Sequence, residues 1–183
     1  MDSLNGILFK DWRKLLKDNQ YKIAPSSIGK ILGLTILSIN NSKDYKNEKI
    51  NFEQAIKDTS LVQDPIFVLG HWRSGTTFLH NVLSQDEQFA YANIFEIRNP
   101  HTFLTRQPIF ELRKQQSAEA RPTDNVQIDF TSPGEEEFAV AILSKLSPLF
   151  GWVFPQNADK YDKYDTFESC TTEEKETWKD SIH

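Results

Sequence analysis

A single cysteine, Cys170, among 183 residues rules out an internal disulfide and any metal site built on several thiolates. Methionine is as scarce, with one residue, so a core must be filled by others; 13 Phe and 4 Trp can do that. No excess of positive charge is present. The net charge of −5 argues against binding nucleic acid through its phosphates, although a local basic pocket for a small anion is compatible with it. Long hydrophobic runs are missing too. The longest, Ile28 to Ile39, is interrupted by Lys30 and two glycines and is too short to cross a bilayer. The amino terminus mixes Asp2, Lys10, Asp11 and Arg13 into its apolar residues, which no signal peptide does. These absences set the expectation of a cytoplasmic protein with no transmembrane segment.

What is present reads as one globular domain with a real core. Hydrophobic residues are 38% of the chain and charged residues 26%, outside the disordered range. Leu4, Ile7, Leu8, Trp12, Leu15 and Leu16 fall at helical spacing after a candidate cap, Ser3. Pro25-Ser26-Ser27 opens a second helix over residues 28–39, broken by Asn40-Asn41-Ser42, with a short third helix over 52–57. Residues 1–60 thus form a helical extension packing on a core unit of 61–183. In that unit, Ile66-Phe67-Val68-Leu69 is a short continuous apolar run, the pattern of a buried parallel strand. The period turns helical from Gly75 to Leu83. Residues 89–95 read as a second strand, 108–116 as a helix, and Val126, Ile128 and Phe130 alternate with polar residues as in a short strand or an extended loop. Ser132-Pro133-Gly134-Glu135 has the form of a capping box with proline at the first helical position and opens a helix to about Lys145. Thr171-Thr172-Glu173-Glu174 opens a last one.

The most informative stretch is Gly70-His71-Trp72-Arg73-Ser74-Gly75-Thr76-Thr77, between the first apolar run and a helix. Two glycines let the backbone fold so that its N–H groups converge on one anion. The helix start adds unpaired N–H groups and the positive end of its dipole. A nucleoside-triphosphate loop carries Lys after its second glycine; here Thr76 holds that place and the cation is Arg73. An ATP or GTP reading therefore loses its charge partner for the terminal phosphates.

The string from Pro65 to His80, with Gly70-His71-Trp72-Arg73-Ser74-Gly75-Thr76-Thr77 at its centre, resembles the 5'-phosphosulfate loop of the sulfotransferases, and Arg73-Ser74-Gly75-Thr76-Thr77 is similar to that of the tyrosylprotein sulfotransferases. The resemblance implies a P-loop-type three-layer α/β/α fold with a central parallel sheet, and transfer of a sulfuryl group from 3'-phosphoadenosine-5'-phosphosulfate (PAPS) to an acceptor hydroxyl or amine, small molecule or carbohydrate, without a metal. It implies that Gly70, His71, Trp72, Arg73, Ser74, Gly75, Thr76 and Thr77 bind the cofactor, with Arg73 on the 5'-phosphate and the oxygen that leaves with it.

Transfer to a hydroxyl also needs a base. Glu96, after the second expected strand and 23 residues beyond Arg73, is the first candidate, and a glutamate holds a similar place in the tyrosylprotein enzymes. His101 is the alternative. Arg121 and the acids Glu136 and Glu137 also resemble family positions, although a surface ion pair explains the first and helix capping the others. In the family a Lys-Ser-Pro-like string is followed by an Arg-Asp-Pro-like string and then a serine, whose Arg and Ser hold the 3'-phosphate, and no such pair is present here. The sheet is thus expected to be incomplete, its carboxy-terminal strands missing, and the chain to be an amino-terminal fragment. A P-loop kinase-like enzyme and a non-catalytic anion-binding remnant are the competing readings.

Overall fold

A computed structural model describes residues 4–60, 64–71, 74–114, 119–120 and 127–182. Two helices open it: α1 (Phe9–Asp18) and the long α2 (Ile28–Asp58). The polar triplet at 40–42 does not break α2. Asn41 is fully buried and its amide donates to the carbonyls of Asn5 (2.6 Å) and Ile7 (2.8 Å), while Ser42 Oγ accepts from Phe9 N–H (2.9 Å). Side chains that would compete with a lone helix spend their bonds on the incoming chain instead, and the expected short third helix becomes the end of α2. Ser3 lies outside the described residues; α1 starts after Leu8 with no side-chain cap.

Shorter helices follow: α3 (Thr76–Leu83), α4 (Ile94–Arg98), α5 (Gln107–Arg113), α6 (Glu137–Ser144), α7 (Leu149–Val153), α8 (Asp159–Asp162) and α9 (Thr172–Asp180). The expected parallel sheet is overturned. Among the described residues the strands are β1 (Glu119–Ala120) and β2 (Gln127–Ile128), paired antiparallel with Glu119 opposite Ile128, plus an isolated antiparallel bridge between Asn93 and Pro133. Ile66, Phe67 and Leu69 are 64%, 61% and 87% exposed in unpaired backbone. An apolar run reads as a buried strand only if neighbours flank it, and none of the described segments does so. Residues 89–95 fail for a local reason. Asn93 followed three residues later by Glu96 is a reciprocal capping box, and it turns the chain into α4 instead of a strand.

A second capping assignment is also corrected. Ser132 does not cap α6; its hydroxyl accepts from Asp129 N–H (3.0 Å) and donates to the Asp129 carboxylate (3.2 Å). That carboxylate also takes Thr131, by hydroxyl (2.7 Å) and N–H (2.8 Å), bonds that lower its pKa, the Thr131 hydroxyl most. The aspartate just ahead of the serine thus captures it in a tight turn, and α6 begins five residues later. It ends at Lys145, in the left-handed region at φ 63°.

The main core joins both ends of the chain. Leu4, Ile7, Trp12, Leu15, Ile31 and Leu34 pack with Ala141, Phe150, Phe154, Tyr161, Tyr164 and Cys170. Trp12 Nε1 donates to Thr35 Oγ1 (2.9 Å), so the buried indole keeps a polar partner. Asn19, fully buried, donates to Tyr161 Oη (2.6 Å) and accepts from Asn157 (2.9 Å). The middle is clamped to α2 by Glu48, whose carboxylate accepts from Leu104 N–H (3.2 Å) and Thr105 N–H (2.6 Å). Arg106 pairs with Asp44 (2.7 Å) and donates to Asn41 and Asn99 (2.8 and 2.9 Å).

Candidate anion-binding loop and active site

The loop ahead of α3 closes tightly. Ser74 N–H donates to His71 O (3.2 Å). A β-carbon on Gly70 would lie 2.5 Å from Ser74 Oγ and 2.7 Å from Thr76 Cγ2, so a side chain there would push the Ser74 and Thr76 side chains aside. Gly75 sits at φ 90° as the residue before α3, a conformation open to glycine at little steric penalty. α3 has no side-chain cap, and its first main-chain bond runs from Leu79 N–H to Gly75 O (3.0 Å). The N–H groups of Thr76, Thr77 and Phe78 therefore head the helix, where they and the dipole favour an anion. Trp72 and Arg73 lie outside the described residues. On the other side α3 is open, with Phe78 73% exposed, and His80 meets the Tyr91 ring edge-on at 6.3 Å.

Glu96 is fixed in place. Its Oε2 accepts from Asn93 N–H (2.9 Å) and its own N–H donates to Asn93 Oδ1 (3.0 Å). Phe95 and Ile97 on either side are buried, Phe95 against Phe110 at 5.1 Å. Ile97 packs so closely on Gly134 that a β-carbon there would lie 2.2 Å from its Cδ1. The start of α4 and the residue before its cap are laced to 130–134 through Ile94 N–H to Ser132 O, Phe95 N–H to Phe130 O and Gly134 N–H to Ala92 O (3.0, 3.3 and 3.1 Å). Asn93, the residue that holds the glutamate, was missed in reading the sequence, although its spacing of three from Glu96 was a usable signal.

His101 is in a different setting. Its Nε2 is buried without a hydrogen-bond partner, as are Thr102 Oγ1 and Thr105 Oγ1, and its ring meets Tyr45 edge-on at 5.2 Å. Burial pulls its pKa down to about 4, with Asp11 opposing and Lys145 assisting. Such a group is neutral at pH 7, with its Nε2 shut off from water. Glu136 is the residue before α6 and Glu137 lies in its first turn, where Glu137 accepts from Ser147 Oγ (3.3 Å). Arg121 lies outside the described residues. Among the described residues no group of three or more His, Cys, Asp or Glu is placed to hold a metal ion, and no helix is long and apolar enough to cross a membrane.

Comparison with known proteins agrees with the loop. A family model described as sulfotransferase family matches residues 65–163, which contain the loop, α3, α4 and α6. The chain is 30% identical over 177 residues to omega-hydroxy-beta-dihydromenaquinone-9 sulfotransferase Stf3 of Mycobacterium bovis (strain ATCC BAA-935 / AF2122/97), and equally to that of Mycobacterium tuberculosis (strain CDC 1551 / Oshkosh). The match covers 97% of this chain and 46% of each relative, so the chain spans about half the length of the curated relatives it matches. No solved structure matches it. With the family match covering more than half of its residues and falling on the loop whose glycines the geometry favours, the chain belongs to the sulfotransferase family.

Proposed function

We propose that the protein takes part in moving a sulfuryl group from PAPS to an acceptor hydroxyl or amine, with residues 70–77 holding the donor's 5'-phosphate. The observation that carries this reading is the closed turn ahead of α3, with Gly70 packed on Ser74 and Gly75 at φ 90°. It suits a compact, highly charged oxyanion better than an extended chain of phosphates, because the lysine of a triphosphate loop is replaced by Thr76. PAPS supplies an activated sulfuryl group whose departure leaves charge on the 5'-phosphate. The chain's part is to receive that charge. The N–H groups heading α3 and the hydroxyls of Ser74, Thr76 and Thr77 are the donors, and Arg73 is the cation assigned to the leaving oxygen.

Glu96 is the base assigned to the acceptor proton. Of its two oxygens, Oε2 is taken by Asn93 N–H, while Oε1 accepts no bond from the described residues, which leaves an acceptor for an incoming hydroxyl. The mycobacterial relatives are named for an omega-hydroxy-beta-dihydromenaquinone, and a hydroxyl on a small apolar molecule is the acceptor we favour.

The test is transfer of labelled sulfate from PAPS to hydroxylated quinones and isoprenoid alcohols, with affinity for adenosine 3',5'-bisphosphate measured alongside. Arg73→Ala should cut the rate by a barrier of about 3–4 kcal/mol and weaken bisphosphate binding far less; equal losses in both would remove Arg73 from the leaving-group step. Glu96→Gln keeps an acceptor for Asn93 N–H, so helicity and bisphosphate affinity should hold while turnover falls about 100-fold or more. Unchanged turnover would move the base elsewhere. Binding of ATP with magnesium in preference to PAPS would replace the whole reading with a kinase-like one.

A further inference from the structure

Away from the loop, the approach to α2 and the α7 region enclose a cleft of about 320 Å³. One wall is Lys22, Ile23 and Lys30; the other is Trp152, Val153 and Pro155. The floor is Ile31 and Phe154, both nearly inaccessible. Gln156 Nε2 donates to Lys22 O (3.2 Å) and ties the walls together. The indole of Trp152 is 81% exposed, although a folded chain normally covers most of a tryptophan.

The charge around this cleft is one-sided. The two segments that build it, residues 21–43 and 145–158, contain no aspartate or glutamate, in a protein whose net charge is −5. Neither the Lys22 nor the Lys30 ammonium has a hydrogen bond or ion pair with any described residue. Some lysines elsewhere find acids, as Lys57 does Glu53 and Lys163 does Glu174; these two, beside an apolar floor, do not. Two unpaired cations over an apolar floor, with an exposed indole beside them, make a site with a definite preference. A neutral apolar molecule would leave both ammonium groups unanswered, and a purely polar anion would leave the floor and the indole in contact with water.

We propose that this cleft binds an amphipathic anion, its apolar body between Trp152 and the Ile31–Phe154 floor and its carboxylate or phosphate head between Lys22 and Lys30. The proposal is independent of sulfuryl transfer. Long lysine stems lie along apolar surface while their heads reach the ligand, and Trp152 supplies a flat face at low entropic cost. A free lipid-like acid and the headgroup region of an anionic membrane offer the same chemistry, and the experiment separates them.

The probes are dodecanoate below its micelle concentration, 1-dodecanol as the neutral control, and vesicles of phosphatidylglycerol against phosphatidylcholine. Tryptophan emission is the readout, with Trp152→Phe to assign it. Saturable dodecanoate binding with a blue shift that vanishes in Trp152→Phe is expected. Lys22→Ala/Lys30→Ala should weaken it about tenfold or more, and dodecanol should bind at least as poorly to the native protein. Should the double variant fail to fold by circular dichroism, salt serves instead: raising ionic strength to about 0.5 M should weaken dodecanoate, and leave dodecanol unaffected. Binding of monomeric dodecanoate alone identifies a free ligand; additional capture by phosphatidylglycerol vesicles but not phosphatidylcholine identifies a headgroup. Equal affinity for acid and alcohol, a shift that survives in Trp152→Phe, or no binding to either anionic probe overturns the proposal.

Discussion

At the scale of single residues, the same local chemistry that sets Glu96 also explains why His101 differs from it. Glu96 rests on a helix start with backbone N–H groups for company. His101 has an orphaned Nε2 of its own, and the hydroxyls of Thr102 and Thr105, close by in the chain, are orphaned too. Its pKa, lowered to about 4 from the usual 6.5 by burial, has a consequence for stability. The unfolded chain takes up a proton near pH 6.5 and the folded chain only near 4, so the contribution is complete above 6.5 and is lost as pH falls toward 4. Asp11 favours the proton and Lys145 opposes it, while Tyr45 offers only its ring. We expect urea midpoints to drop between pH 6.5 and 4.5, by up to about 3 kcal/mol in stability, and His101→Phe to flatten that slope. A native slope no steeper than the variant's would show that the imidazole protonates without resistance.

At the scale of elements, caps were more decisive than hydrophobic period. The last helix was legible from Thr171-Thr172-Glu173-Glu174, whose first and last members form a reciprocal capping box. Glu174 also binds Lys163 (2.5 Å) and Tyr164 (3.0 Å), and its pKa falls to about 2, first through Lys163. Thr171→Ala should therefore cost about 1 kcal/mol, read as a lower midpoint in thermal melts; Ser132→Ala should leave the start of α6 where it is, because that serine serves Asp129. The helix after Gly75 and the end of α6 at Lys145 were legible too, from turn chemistry and period together. The strands were not. Ile66 to Leu69 has the composition of a strand, but pairing depends on what lies beside it, which four residues cannot encode. Residues 89–95 carried two signals, an aromatic-rich strand-like run and the Asn93–Glu96 spacing, and the capping box prevailed. The continuous α2 was hidden because Asn41 and Ser42 look like a break until their distant partners, Asn5, Ile7 and Phe9, are seen. The anion-binding loop was readable as a string, since its glycines act locally; the lysine-walled cleft was not, since it is assembled from segments more than 100 residues apart.

At the scale of the whole molecule, the helices of residues 1–60 share one core with α6, α7 and α8. Asn19 is a fully buried polar link between the two ends, bonded to both Tyr161 and Asn157. Asn19→Ala strands both partners in a buried site, at about 2–3 kcal/mol. Unfolding should stay a single transition in denaturant with an unchanged slope and a lower midpoint. Two separated transitions in the native protein would instead mean that the ends open independently.

That shared core also encloses the one thiol. Cys170 is only 8% exposed, with its Sγ 3.5 Å from Lys163 O, among side chains contributed by both ends of the chain. A reagent that alkylates sulfur should therefore react slowly until the packing around Cys170 loosens. With no other sulfhydryl to confuse the count, the protein carries its own stopwatch: each modified molecule records one breath of its interior.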